Sequence, residues 1–132
     1  MSIFFILLLR TYGNAFRLSN PNSNGVGAPA SGAGSLTYYE ICSRTRSGSL
    51  TYRWDDAQKV PYAFSATEWV GYDDLRSVTE KANYINNNNL GGAMFWAVDD
   101  DDYNNVCGGG KYPLITAVFN IVTGGSNPVS SI

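Results

Sequence analysis

Asp99, Asp100, Asp101 and Asp102 form an unbroken acidic run. Such a run invites a calcium site, but calcium loops space their ligands and turn on a glycine. Adjacent side chains point in alternating directions, so four consecutive aspartates cannot converge on one ion. The run reads as a solvated loop between a strand and a helix. The chain has no His and two Cys, Cys42 and Cys107. Ser-His-Asp and Cys-His catalysis are thereby excluded, and a zinc site lacks its usual ligands. Acid–base chemistry, if any, must come from Asp, Glu, Tyr or Lys. Nine Tyr and three Trp raise the aromatic share to 14%, against only 15% charged residues. That balance suits stacking on the apolar faces of pyranose rings, and it equally suits a core and rim rich in Tyr. A net charge of −2 offers nothing to nucleic acid or to an anionic membrane. No cofactor is expected.

The elements that must position these groups follow from the apolar pattern. With 132 residues, 44% of them hydrophobic, the chain is long enough for one ordinary domain. Ile3 to Leu9 is an apolar run too short to span a membrane. It fits a buried parallel strand, or the core of a signal peptide cut after Ala15. Residues 19–35, rich in Ser, Asn, Pro and Gly, predict a loop. Leu36–Ile41, Leu50–Trp54, Val60–Phe64 and Glu68–Tyr72 predict four strands of a small antiparallel sheet. Asp73 and Asp74 offer an N-cap, and Leu75, Val78, Ala82 and Ile85 make one helical stripe that the asparagines 86–89 end. Ala93–Val98 is again wholly apolar, a buried parallel strand, and Leu114–Val122 predicts a last helix after Pro113. Helices alternating with apolar strands imply a parallel α/β sheet.

Several ordered segments carry a family likeness. Thr11-Tyr12-Gly13-Asn14-Ala15-Phe16, Gly25-Val26-Gly27-Ala28-Pro29, Tyr38-Tyr39-Glu40-Ile41-Cys42, Val60-Pro61-Tyr62-Ala63, Trp69-Val70-Gly71-Tyr72-Asp73-Asp74 and Gly91-Gly92-Ala93-Met94-Phe95-Trp96-Ala97-Val98-Asp99 together resemble glycoside hydrolase family 18, the chitinase type. The resemblance covers residues 11 to about 122 and assigns Ile3–Leu9 to a barrel strand. It implies an α/β fold, the C-terminal part of a (β/α)8 TIM barrel with an inserted α+β domain. Residues 1–16 would form strand seven, residues 17–72 the insertion, and residues 73–132 the last helices and strand eight. Two barrel strands cannot close a barrel, which takes roughly 250 residues. The family's Asp-Gly-x-Asp-x-Asp-x-Glu motif is absent, and Asn14 stands where the family usually has Arg. The stretch before Tyr38 also looks shortened.

The resemblance implies substrate-assisted hydrolysis, in which the sugar's own acetamide attacks the anomeric carbon. No catalytic carboxylate is identifiable. Trp96, Tyr12, Glu40 and Met94 are the implied sugar-contacting residues, with chitin or N-acetylglucosamine oligosaccharides as partners. Trp96 and Met94 would otherwise be core residues of an apolar strand, and Glu40 a solvated charge at a strand end. In the family the positions of Cys42 and Cys107 are bridged, and a secreted protein sits where such a pair bonds. The sequence thus leaves three readings: an incomplete chitinase-type chain, a lectin-like binder of chitin oligosaccharides, and a truncated product with no stable fold.

Overall fold

The computed structural model describes residues 5–124. Along the chain run β1 (Ile6–Arg10), β2 (Tyr12–Leu18), β3 (Ala30–Thr37), α1 (Tyr38–Ser47), β4 (Thr51–Asp55), β5 (Val60–Phe64), β6 (Glu68–Gly71), α2 (Leu75–Asn87), β7 (Gly92–Trp96) and α3 (Pro113–Val122). They form two sheets. One is the parallel pair β1–β7, and the other is five-stranded and antiparallel in the order β3-β2-β6-β5-β4.

The parallel pair joins the first strand to the last. Its register runs from Ile6 opposite Gly92 to Arg10 opposite Trp96. Alternation along each strand puts Leu7, Leu9, Ala93 and Phe95 against the core, and leaves Ile6, Leu8, Met94 and Trp96 exposed. The apolar runs that predicted strands buried on both faces are therefore buried on one face among the described residues. Ile3 and Phe4 of the expected first strand lie outside the described residues. So does the stretch beyond Gly124.

A single apolar cluster fills both layers. Val78 and Ala82 of α2, Leu114 and Val118 of α3 and Leu9 of β1 belong to it together with Ile41 of α1, Leu50, Ala63 and Val70. Complete burial of each of the Val, Leu and Ile side chains among them contributes roughly 1.5–3 kcal/mol. Gly13 of β2 is required where α1 crosses. A Cβ there would come within 2.6 Å of Val70 Cγ2 and 2.9 Å of Ile41 Cδ1.

The strands at 50–54, 60–64 and 68–72 and both later helices form close to where the pattern put them. In α2, Asp74 is the N-cap and Val78, Ala82 and Ile85 are buried, while Leu75 stays exposed. Two expectations fail. Leu36–Ile41 is not a strand throughout: β3 ends at Thr37 and α1 begins at Tyr38. The Thr37 hydroxyl accepts the Glu40 N–H, the Glu40 carboxylate accepts the Thr37 N–H, and Gly48 closes the helix in the left-handed region at φ 86°. Residues 30–35 are not loop but the first part of β3, an edge strand on β2. The antiparallel sheet begins at Tyr12.

Candidate binding site

The carboxyl-terminal ends of β1 and β7 lie side by side, and the chain leaves both through the same few bonds. Trp96, the last residue of β7, is 65% exposed, and Met94 two residues earlier is 52% exposed on the same face. Arg10, opposite Trp96 in register, lays its guanidinium 5.6 Å from the centroid of the Tyr12 ring. Arg10 makes no ion pair among the described residues.

Tyr12, Asn14 and Phe16 alternate onto the face of β2 that points away from α1. That face continues through Trp69 of β6 and Tyr62 of β5, whose rings stack at 5.4 Å and 21°. These residues, with Leu8, Arg10, Asp73 and Lys81, line an open groove of about 620 Å³. Its charge is largely satisfied. The Lys81 ammonium binds both oxygens of Asp73 at 2.7 and 2.8 Å. Asp55 accepts from the Ala57 N–H and the Gln58 amide. The Trp69 Nε1–H is buried without a partner.

Glu40 is the sequence-derived candidate that stands apart. Its carboxylate serves the capping box, and it lines a second groove of about 450 Å³ with Leu36, Tyr39, Ser43, Arg44 and Val106. The solvated strand-end reading of Glu40 gives way to a helix N-terminal role. The structure thus places Tyr12 in the larger groove, Met94 and Trp96 on the exposed face of β7 outside that lining, and Glu40 in another groove. Arg10 and Asn14, which also line the larger groove, carry no signal in composition or spacing that singles them out as site residues.

The acidic run is not the solvated loop its sequence suggests. Asp101 and Asp102 are fully buried. Asp101 Oδ2 accepts the Ile115 N–H at 3.1 Å and Oδ1 the Leu114 N–H at 3.5 Å, so it neutralises free amides in the first turn of α3. Asp102 accepts the N–H groups of Val106 and Cys107, both at 2.8 Å. That fixes the loop carrying Cys107, which is bonded to Cys42 of α1 with the Cα atoms 6.0 Å apart. Asp102 and the two sulfurs lie within 4.8 Å of one another, but bonded sulfurs are not thiolate ligands. Burial, the largest influence, raises the Asp101 pKa. Burial likewise pushes the Tyr38 and Tyr72 phenols up, and it raises Tyr52, bonded to Asp74, to about 12. These phenols stay neutral near pH 7.

Trp54, the other tryptophan of the antiparallel sheet, is engaged differently. The Arg76 guanidinium of α2 sits 3.8 Å above its ring. Its face is covered by the protein itself.

The geometry has close parallels. Human chitinase-3-like protein 2 is 42% identical over 124 residues, which make up 86% of this chain and 31% of that protein. Mouse chitotriosidase-1 is 45% identical over 121 residues, 83% of this chain and 25% of that protein. The chain therefore spans under a third of the length of these curated relatives. Among solved structures, the Ostrinia furnacalis Group IV chitinase in complex with allosamidin superposes with a TM-score of 0.87 at 33% identity, covering 92% of this chain and 36% of that one. Human YKL-39, a pseudo-chitinase with retained chitooligosaccharide binding properties, superposes at 0.82 with 39% identity, covering 89% and 35%. The pattern of the glycosyl hydrolases family 18 matches residues 3–101, and with these identities it establishes that the chain belongs to that family.

Proposed function

We propose that this chain supplies part of a cleft that binds chitin-type oligosaccharides, chains of N-acetylglucosamine, without hydrolysing them by itself. The observation that carries the reading is Trp96: an indole two-thirds exposed at the carboxyl-terminal end of a parallel strand, opposite Arg10, which with Tyr12 lines the groove. A free indole face under a pyranose buries its axial C–H groups, and Met94 shares its exposed face of β7. Glu40, held in the capping box of α1 and lining a separate groove, is the least direct of the candidate contacts. Among structural neighbours, one is a chitinase bound to allosamidin and one a pseudo-chitinase that keeps chitooligosaccharide binding.

In this reading β1 and β7 are the last two strands of a (β/α)8 barrel, α2 and α3 its covering helices, and the antiparallel sheet with α1 the inserted α+β domain. The exposed Ile6, Leu8, Met94 and Trp96 face fits a barrel interior. The chain contains no Asp-Gly-x-Asp-x-Asp-x-Glu segment, so hydrolysis needs carboxylates that these 132 residues do not provide. The Cys42–Cys107 bridge suits secretion into an oxidising compartment. Among the described residues no helix is long and apolar enough to cross a membrane.

The test is calorimetric titration with N-acetylglucosamine tetramer, alongside a fluorogenic chitobioside. Trp96→Ala should weaken binding by about ten-fold or more, since stacked aromatic contacts are worth ~1–2 kcal/mol. Trp54→Ala should leave affinity near wild type in protein that remains folded, and no variant should turn over the chitobioside. Equal losses in the two folded variants would refute the assignment of Trp96.

A further inference from the structure

The candidate sugar-contacting groups sit on separate elements, and one residue bonds to the backbone beside each. Thr11 lies between β1 and β2 and is 1% exposed. Its N–H donates to the Trp96 carbonyl at 3.2 Å, and its carbonyl accepts the N–H of Tyr38, the first residue of α1, at 2.9 Å. Its hydroxyl donates to the Ala97 carbonyl. Tyr12 follows it directly in the chain. We propose that Thr11 is the positioning residue of the site, holding Trp96, Tyr12 and the first turn of α1 in one fixed relation. The inference rests on the reading that Trp96 and Tyr12 contact sugar.

The regular β1–β7 ladder ends at Arg10 and Trp96. Past it, β7 gives way to a short 3₁₀ turn at Val98–Asp100 and β1 gives way to another sheet. Strand ends of this kind fray unless their carbonyls are held. Thr11 binds two consecutive carbonyls on the far strand, one through its backbone and one through its side chain. The Trp96–Ala97 link is thereby clamped at both ends. A β-branched side chain has few χ1 states, so the hydroxyl points to Ala97 at little entropic cost. The Ala97 carbonyl also accepts the Asp100 N–H at 3.1 Å, and among the described residues the Thr11 hydroxyl is the side-chain donor to it. An exposed ring can stack on a ligand only as well as its backbone is oriented, so loosening this clamp costs affinity without removing a contact atom.

The hydroxyl can be deleted separately from the backbone bonds. Thr11→Val keeps the shape and loses the donor. Thr11→Ser and Thr11→Ala differ by the hydroxyl alone. The chain is labelled with 5-fluorotryptophan, and its three indole resonances are assigned with single Trp→Phe variants. Fluorine spectra then read the Trp96 environment, and titration with N-acetylglucosamine tetramer reads the site. Thr11→Val and Thr11→Ala should shift or broaden the Trp96 signal, leave Trp54 and Trp69 in place, and bind the tetramer about ten-fold more weakly, the scale of one lost hydrogen bond. Thr11→Ser should restore both. An unmoved Trp96 signal in Thr11→Val overturns the proposal, as does a Ser variant as weak as Ala. Equal movement of all three signals, or loss of cooperative folding in both Val and Ala variants, makes Thr11 a general stability residue and overturns it too. A wild type that ignores the tetramer overturns the sugar reading instead, while the fluorine signals still decide the role of Thr11.

Discussion

Asp101 illustrates how much a single position can hide. Its carboxylate accepts three backbone N–H groups, from Asp102, Leu114 and Ile115, and burial raises its pKa above the ordinary 3.8. An acid raised in the folded state holds its proton after the unfolded chain has released one. Its stabilising contribution is therefore present at low pH and is lost as pH rises through the interval above 3.8. Glu68, bidentate on Arg44, is lowered and has the opposite slope. Comparing wild type with Asp101→Asn cancels that slope, because Glu68 is present in both. Denaturant titrations from pH 3 to 6 should show wild type losing stability relative to Asp101→Asn as pH rises. Asp101→Ala, which leaves three amide donors unpaired, should cost about 1–3 kcal/mol at all of these pH values. The acidic run gave no sign of this in the sequence. Four identical neighbours cannot reveal which two turn inward, because the helix terminus that receives Asp101 lies at residues 114 and 115. Glu40 was legible as a polar group of interest, but its task depended on whether Tyr38 began a helix or continued a strand.

Among the elements, α2 was legible because cap, stripe and terminating asparagines agreed. For α1 the signals conflicted. Tyr38, Tyr39 and Ile41 favour strands, whereas Thr37-x-x-Glu40 is a capping-box spacing and Gly48 a helix terminator. The cap prevailed because Ile41 then packs onto Gly13 and Val70, where only glycine admits the close approach. If the capping box is what settles this segment, Thr37→Ala should lower stability by about 1 kcal/mol in urea unfolding. Glu40→Gln, still able to accept the Thr37 N–H, should cost less. A Thr37→Ala variant with unchanged midpoint and slope would mean that packing alone holds α1.

At the scale of the molecule, two long-range ties organise everything else. β1 pairs with β7 across the whole inserted sheet, and the bridge joins α1 to the loop after β7 over a separation of 65 residues. Closing a loop of that length removes on the order of 4 kcal/mol of unfolded-state entropy, comparable with much of the stability of a chain this size. The Cys42→Ser/Cys107→Ser double variant should accordingly lose about 4 kcal/mol by denaturant titration. It should also release Arg46, whose guanidinium bonds the Val106 carbonyl at 2.9 Å, from the same loop.

The sequence by itself determined the family, through ordered motifs from Thr11 to Asp99, and most elements whose caps and periodicity agreed. It made Trp96 legible as an aromatic within the apolar run Ala93–Val98, the basis for proposing it as a sugar contact. Tertiary structure decided the rest. Alternation says that a strand has two faces but not which one finds a partner, and only the packing of α2 and α3 against β7 turned Trp96 and Met94 outward. Likewise, buried Thr11 became the junction of β1, β7 and α1 only once residues 11, 38, 96 and 97 met in space. Hydrogen bonds between positions so distant in the chain leave no periodic trace in it.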